Sequence, residues 1–214
     1  VVNGDFEKTE SDSRFICDFS AVLGAFGTVY DAEKAGVMVS FLLSPHYFPS
    51  WVYDEYPETM IKAVRPYDIS TEPVKDMYRV MGREIARILK NFTNVNDICV
   101  HNEDRYLLYE DSKTLPLFRS FLKEKYSDIS ALNSAYGTSY KDFDEIPMPN
   151  GLERSSATYD LAELTNKLVL ESREVSYEAI KSVWQEVNVS GKLQAPHVFS
   201  KELNRFTQGL NPIG

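Results

Sequence analysis

The sequence predicts an α/β protein of the (β/α) TIM-type barrel class, with the barrel incomplete. Three observations carry the prediction. Short apolar, β-branched runs alternate with stretches of helical periodicity in the order strand, helix, strand, which requires a crossover connection and so a parallel sheet covered by helices. No Gly-rich phosphate loop follows any of these runs, which counts against an open, doubly wound sheet made from the same elements. The 214 residues supply three firm strand signals, whereas a closed barrel takes eight strands and about 250 residues.

The first strand signal is "VMVSFLL", Val37–Leu43, preceded by Gly36 and stopped by Ser44-Pro45. A nearly continuous apolar run of this kind predicts a strand buried on both faces. Helical spacing follows at Val74, Met77, Tyr78, Met81, Ile85, Ile88 and Leu89, with Ser70 or Thr71 as cap and Pro73 in the first turn. The second strand is "DICVH", 97–101. In "LPLFRSFLKEKY" the residues Phe118, Phe121 and Leu122 share one helical face, and "SDISALNSAYG" is a short helix with a Ser or Asp cap and Gly137 as its stop. "FDEIPMPNG" reads as an irregular, Pro-rich excursion. Leu161–Val187 is a long helix with Leu164, Leu168, Ala179, Ile180, Val183 and Trp184 on its apolar side, and "KLQAPHVF", 192–199, is the third strand. "RFICDF", 14–19, is a candidate fourth. With no internal repeat or low-complexity segment, residues 1–214 read as a single domain.

The composition narrows the partners. A content of 43% apolar, 13% aromatic and 26% charged residues is that of a globular chain able to bury a core. The net charge of −9 argues against nucleic acid, which is held chiefly by clustered Lys and Arg. A neutral or cationic ligand suits an acidic chain, and the supply of Tyr and Phe points to sugars, because sugar CH faces pack on aromatic rings. No window approaches a membrane span, and the first residues lack a signal pattern, which leaves cytoplasmic and secreted locations open. Cys17 and Cys99 have no metal-ligand spacing, and Cys99 sits in an apolar run as a small buried hydrophobe. "NFT" at Asn91 and "NVS" at Asn188 match the glycan acceptor pattern without deciding the compartment.

The chemistry concentrates at strand ends. The three histidines, His46, His101 and His197, each lie at or just past the end of a predicted strand. In β/α barrels the carboxyl ends of the strands carry the active site. Asn102 and Glu103 follow the second strand, where side chains leave the packed sheet and meet substrate. A carboxyl partly screened by aromatic walls has its pKa raised toward the range of a general acid, and an adjacent amide both donates to and accepts from sugar hydroxyls. The bland reading of the pair is a solvated loop acid beside a strand-end cap. His46 and Tyr47 lie in "SPHYFPSW", a Pro-stiffened loop suited to a sugar platform, with Phe48 and Trp51 read as packing under it. His101 and Tyr106 complete the candidate substrate contacts. The histidines form no H-x-H or H-E-x-x-H pair, so neither a metal nor another cofactor is expected.

The strings "GVMVSFLLSPHYFPSWVYDEYPE", "ICVHNEDRY", "FRSFLKEKYSDISALNSAYGTSYKDFDEIPMP" and "YDLAEL" together resemble the beta-galactosidase-like retaining glycoside hydrolases of clan A, close to family forty-two. The match is strongest over 32–160. The resemblance implies that the chain spans roughly strands 3 to 5 of the barrel, with the Asn-Glu pair ending the fourth. It also implies Glu103 as general acid/base, Asn102 as its substrate-binding neighbour, and a β-galactoside or related β-glycoside as substrate. The family's nucleophile, a Glu ending the seventh strand, is expected to be missing from these residues, so the isolated chain is expected to be inactive. Members often form trimers, which makes a homo-oligomer the expected protein partner. One departure is Asp104, where the family usually has Pro; its charge would push the Glu103 pKa further up. The alternative is a barrel relative that binds carbohydrate without catalysis.

Overall fold

The computed structural model describes residues 2–3, 15–17, 23–43, 50–60, 68–102, 108, 111–149 and 154–192. The elements are β1 (Val2–Asn3), β2 (Ile16–Cys17), α1 (Leu23–Lys34), β3 (Val39–Leu43), α2 (Ser50–Glu55), α3 (Glu72–Leu89), β4 (Val95–Asn102), α4 (Thr114–Tyr126), α5 (Ile129–Tyr136), α6 (Ser156–Val183) and β5 (Asn188–Lys192). They form two compact units. One gathers the strands with α1, α2, α3 and the second half of α6, and the other holds α4, α5 and the first half of α6.

In the first unit β3, β4 and β5 form a parallel sheet in the order β3-β4-β5. The predicted strand, helix, strand crossover is therefore present. Ile16–Cys17 of "RFICDF" is also extended, but its partner is Val2–Asn3 in an antiparallel pair.

The helices cover one face of the parallel sheet. Ile98 and Val100 of β4 cluster with Phe26 and Val29 of α1, Ile85, Ala86 and Leu89 of α3, and Ile180 of α6, while Val39, Phe41, Leu43 and Val189 pack against the same cluster. Phe26 stacks on Phe41 with ring centroids 5.8 Å apart. The other face is different. Ser40, Leu42 and Ser190 are exposed there, and Cys99 is half-buried rather than fully buried. Within these 214 residues β3 alternates instead of being buried on both faces as expected: Leu42 is 43% exposed, and Val37 and Met38 precede the strand in solvent. The helices screen one side, and β3 has only β4 as a neighbour among the described residues.

α3 matches its predicted stripe. Val74, Met77, Tyr78, Met81, Ile85 and Leu89 are buried and Ile88 is half-buried. Thr71 stands at the N-cap, but its hydroxyl donates to Asp68 O (2.7 Å) instead of accepting from the helix. Where α3 crosses α6, a Cβ on Gly82 would lie 3.1 Å from Ala179 Cβ and 3.2 Å from Ser176 O, so glycine sets the close approach. α6 begins five residues earlier than predicted, with Ser155 Oγ accepting from Thr158 N (3.1 Å), and ends at Val183, where the Lys181 ammonium donates to Gln185 O (2.8 Å) and Val187 O (2.6 Å). The strand that follows is correspondingly early: it occupies Asn188–Lys192, while 193–199 of the predicted "KLQAPHVF" lie outside the described residues.

The second unit is helical. Phe118, Phe121 and Leu122 of α4 are buried, as their spacing predicts. Asp128 is the cap of α5, accepting from Ser130 N at 2.6 Å, and Gly137 ends that helix at φ +68°, a conformation only glycine adopts without strain. The "YD" of "YDLAEL" splits: Tyr159 is exposed, and Asp160 is 1% exposed. Its carboxylate accepts from Lys125 Nζ (2.8 Å), Tyr126 OH (2.9 Å) and Tyr136 OH (2.8 Å), joining α4, α5 and α6. Burial alone would lower the pKa of Lys125, but its bonds to Asp160 and Glu163 outweigh that and raise it. Burial first, and then Asp160, raises the pKa of Tyr136.

Candidate active site

β4 is the central strand, and its last two residues are His101 and Asn102. Leu43, which ends β3, lies opposite Val100, and Lys192, which ends β5, lies opposite Asn102. The carboxyl ends of the parallel strands therefore share one edge of the sheet. The ladder is irregular there: the two-residue step from Val100 to Asn102 matches the single step from Gly191 to Lys192. An extra residue of this kind interrupts the alternation of faces, and such bulges concentrate beside active sites because they re-aim what leaves the sheet. Nothing in the sequence marks this irregularity, since it exists only in the pairing with β5.

Of the candidate residues, the structure describes the backbone of His101 and Asn102. Glu103, His46, Tyr47 and Tyr106 lie outside the described residues, as do Phe48 and His197. "SPHYFPSWVYDEYPE" contains more regular structure than a loop: Ser50–Glu55 is helical and Pro57–Thr59 forms a 3-10 turn. Trp51 is half-buried, with its ring 6.0 Å from that of Phe15.

β4 is tied to its neighbours at its amino end and in its middle by several polar contacts. Thr93 N and Thr93 Oγ1 donate to Glu33 Oε1 at 2.6 and 2.7 Å, and these bonds, the backbone one first, hold the Glu33 carboxyl below the usual carboxylate range. The buried Asn94 amide donates to Val29 O (3.1 Å) and Val37 O (2.9 Å), fixing the turn that starts β4. On the sheet face away from the helices, Asp97 Oδ2 accepts from Ser40 Oγ of β3 and Ser190 Oγ of β5, each at 2.7 Å. Bonds to a carboxylate are stronger than neutral ones, so Asp97 ties three strands together across that face. Sequence reasoning missed this residue, because an acid within an apolar run becomes a tie only when register brings a serine to either side. Among the described residues, no three His, Cys, Asp or Glu side chains converge as they would around a metal ion. No described helix is long and apolar enough to cross a membrane.

This geometry has a counterpart among known proteins. The family model described as beta-galactosidase, glycoside hydrolase family 42, matches residues 27–211. The chain belongs to that family. Its fold is part of a (β/α) barrel. The beta-galactosidase of Bacillus circulans sp. alkalophilus superposes with a TM-score of 0.66 at 19% identity, over 87% of this chain and 30% of that one. The beta-galactosidase of psychrophilic Marinomonas ef1 gives a TM-score of 0.65 at 19% identity, over 85% and 30%. The catalytic domain of a beta-amylase from Paenibacillus polymyxa gives 0.71 at 14% identity, over 95% and 62%. These 214 residues thus span about 30% of the length of the family's solved beta-galactosidases.

Proposed function

We propose that this chain is one part of the catalytic barrel domain of a retaining glycoside hydrolase that cleaves terminal β-galactosides or similar β-glycosides, with Glu103 as general acid/base. The observation carrying this reading is the position of Asn102 as the last residue of the central parallel strand in a family 42 chain, with Glu103 next in sequence. Glu103 protonates the glycosidic oxygen as the bond to C1 breaks, and a second carboxylate, from barrel residues beyond these 214, attacks C1 from the opposite face. Glu103, now ionised, takes a proton from the water that releases the sugar. Asn102, His101, His46, Tyr47 and Tyr106 bind and orient sugar hydroxyls around the reacting bond. An acidic chain of net charge −9 is in keeping with a neutral carbohydrate.

The test uses the parent protein at full length. Glu103→Gln keeps the shape of the protonated acid and removes its proton, so hydrolysis of alkyl β-galactosides should fall by about two to four powers of ten. The first step on nitrophenyl β-galactoside should survive, since that leaving group needs little protonation. Azide, a nucleophile needing no base, should then restore turnover and yield a β-glycosyl azide. Equal losses on all leaving groups without azide rescue would assign Glu103 a structural role. A full-length protein that binds galactosides but turns none over would favour the non-catalytic alternative.

A further inference from the structure

We propose that a groove between α4 and the 3-10 turn Phe143–Glu145 in the second unit is a carbohydrate-binding site for a neutral oligosaccharide, using none of the candidate catalytic residues. The groove is open to solvent and has a volume of about 380 Å³, at the small end of the roughly 300–1,000 Å³ typical of small-molecule sites. One wall is the outer face of α4, where Arg119, Ser120 and Lys123 follow helical spacing opposite the buried Phe118, Phe121 and Leu122. The other wall is Asp142, Phe143 and Asp144.

Both walls are rigid. Asp142 Oδ1 accepts from Asp144 N (2.8 Å) and Glu145 N (3.2 Å), and Glu145 Oε2 accepts from Lys141 N (2.9 Å), which closes the turn on itself. Arg119 Nε donates to the carbonyl of the buried Ile146 at 2.8 Å, which anchors the guanidinium and leaves its two terminal nitrogens without a bond among the described residues. The Lys123 ammonium and the Asp144 carboxylate make no hydrogen bond or ion pair among the described residues either. Walls set before binding lose little entropy when a ligand arrives.

The chemistry of the walls selects the ligand. Two cations and two carboxylates line one groove without pairing with one another. An anion gains from one wall and is repelled by the other, and a simple cation fares the same. A sugar hydroxyl uses both, because it accepts from Arg119 or Lys123 while donating to Asp142 or Asp144. The half-buried ring of Phe143 offers an apolar surface for the CH face of a pyranose.

The experiment titrates lactose and methyl β-galactoside into the parent protein at full length and follows by NMR the amide signals of the groove and of the strand-end site separately. Saturable shifts at Arg119–Lys123 and Asp142–Glu145 are expected, with lactose binding the tighter. Asp144→Asn, an exposed and folding-neutral change, should weaken lactose by about tenfold, as loss of a charged hydrogen-bond partner does. Phe143→Ala should weaken it at least as much in a variant whose circular dichroism is unchanged. Glu103→Gln should leave this binding intact, so failure here and failure of the catalytic reading are distinguishable. Absence of shifts in the groove, lactose binding insensitive to Asp144→Asn, or tighter binding of glycylglycine or inorganic phosphate at these residues would overturn the proposal.

Discussion

In the unit that contains the parallel sheet, α3, α6 and the strands meet through apolar side chains, with Ile85, Leu89, Ile98 and Ile180 each at most 1% exposed. In the other unit α4, α5 and α6 converge on the carboxylate of Asp160, which takes donors from Lys125, Tyr126 and Tyr136. The two arrangements fail differently. Apolar packing is non-directional and shared among many neighbours, so losing one side chain costs in proportion to the volume removed. A buried carboxylate depends on a few directed partners, and removing one leaves a desolvated charge behind. The rigid packed layer lies under the strand ends that carry Asn102, which suits a site needing fixed geometry.

Hydrogen exchange resolved by unit tests this contrast. Leu89→Ala, at a fully buried site, should cost about 2–5 kcal/mol and lower protection throughout the sheet unit. Lys125→Met should cost about 3 kcal/mol, concentrated in α4, α5 and the first half of α6, because the buried Asp160 loses the cation of its ion pair. A cost below about 1 kcal/mol would show that the two tyrosines suffice for Asp160.

Gly82→Ala sharpens the comparison from the packed side. Its new Cβ meets Ala179 and the Ser176 carbonyl, so a loss of about 1–3 kcal/mol is expected, and a neutral result would mean that α3 and α6 separate easily. Tyr136→Phe removes one of the donors to Asp160 and should cost about 1 kcal/mol, measured by chemical denaturation.

The smallest effect is that of pH. Lys125 and Tyr136 both have raised pKa values in the folded chain, so the folded state holds their protons more tightly than the unfolded state does. That contribution is fully present below about pH 10, the ordinary range of lysine and tyrosine, and is lost as pH rises above it. The melting midpoint should therefore decline from about pH 10 upward, and more gently in Lys125→Met. Equal alkaline slopes in both proteins would remove the hub as the cause.

Much of the fold is legible in the residues. The stripe of α3, the buried face of α4, the glycine stop after α5 and the crossover between β3 and β4 all follow from spacing, because helical period and chain-breaking residues act locally. α1 has no clear signal in the sequence: Gly24 and Gly27 dilute its helical pattern, and of its described side chains only Phe26 and Val29 are buried. β5 lies earlier in the chain than the sequence predicts, since "NVSGK" has weak strand propensity and owes its extended form to pairing with β4. At the candidate site, the place of Asn102 at a strand end was readable from where the apolar run stops. The ladder irregularity beside it was not, and neither was the tie of Asp97 to Ser40 and Ser190.

By itself the sequence determined the α/β class, the helix faces and the family, because these depend on periodicity and on strings of residues within one stretch of chain. Tertiary structure decided which face of β3 is buried, which residue of "YD" becomes a hub, and which acid in an apolar run becomes a cross-strand tie. Each of these depends on partners brought close by strand register and helix packing across dozens of residues, a proximity that no local pattern encodes.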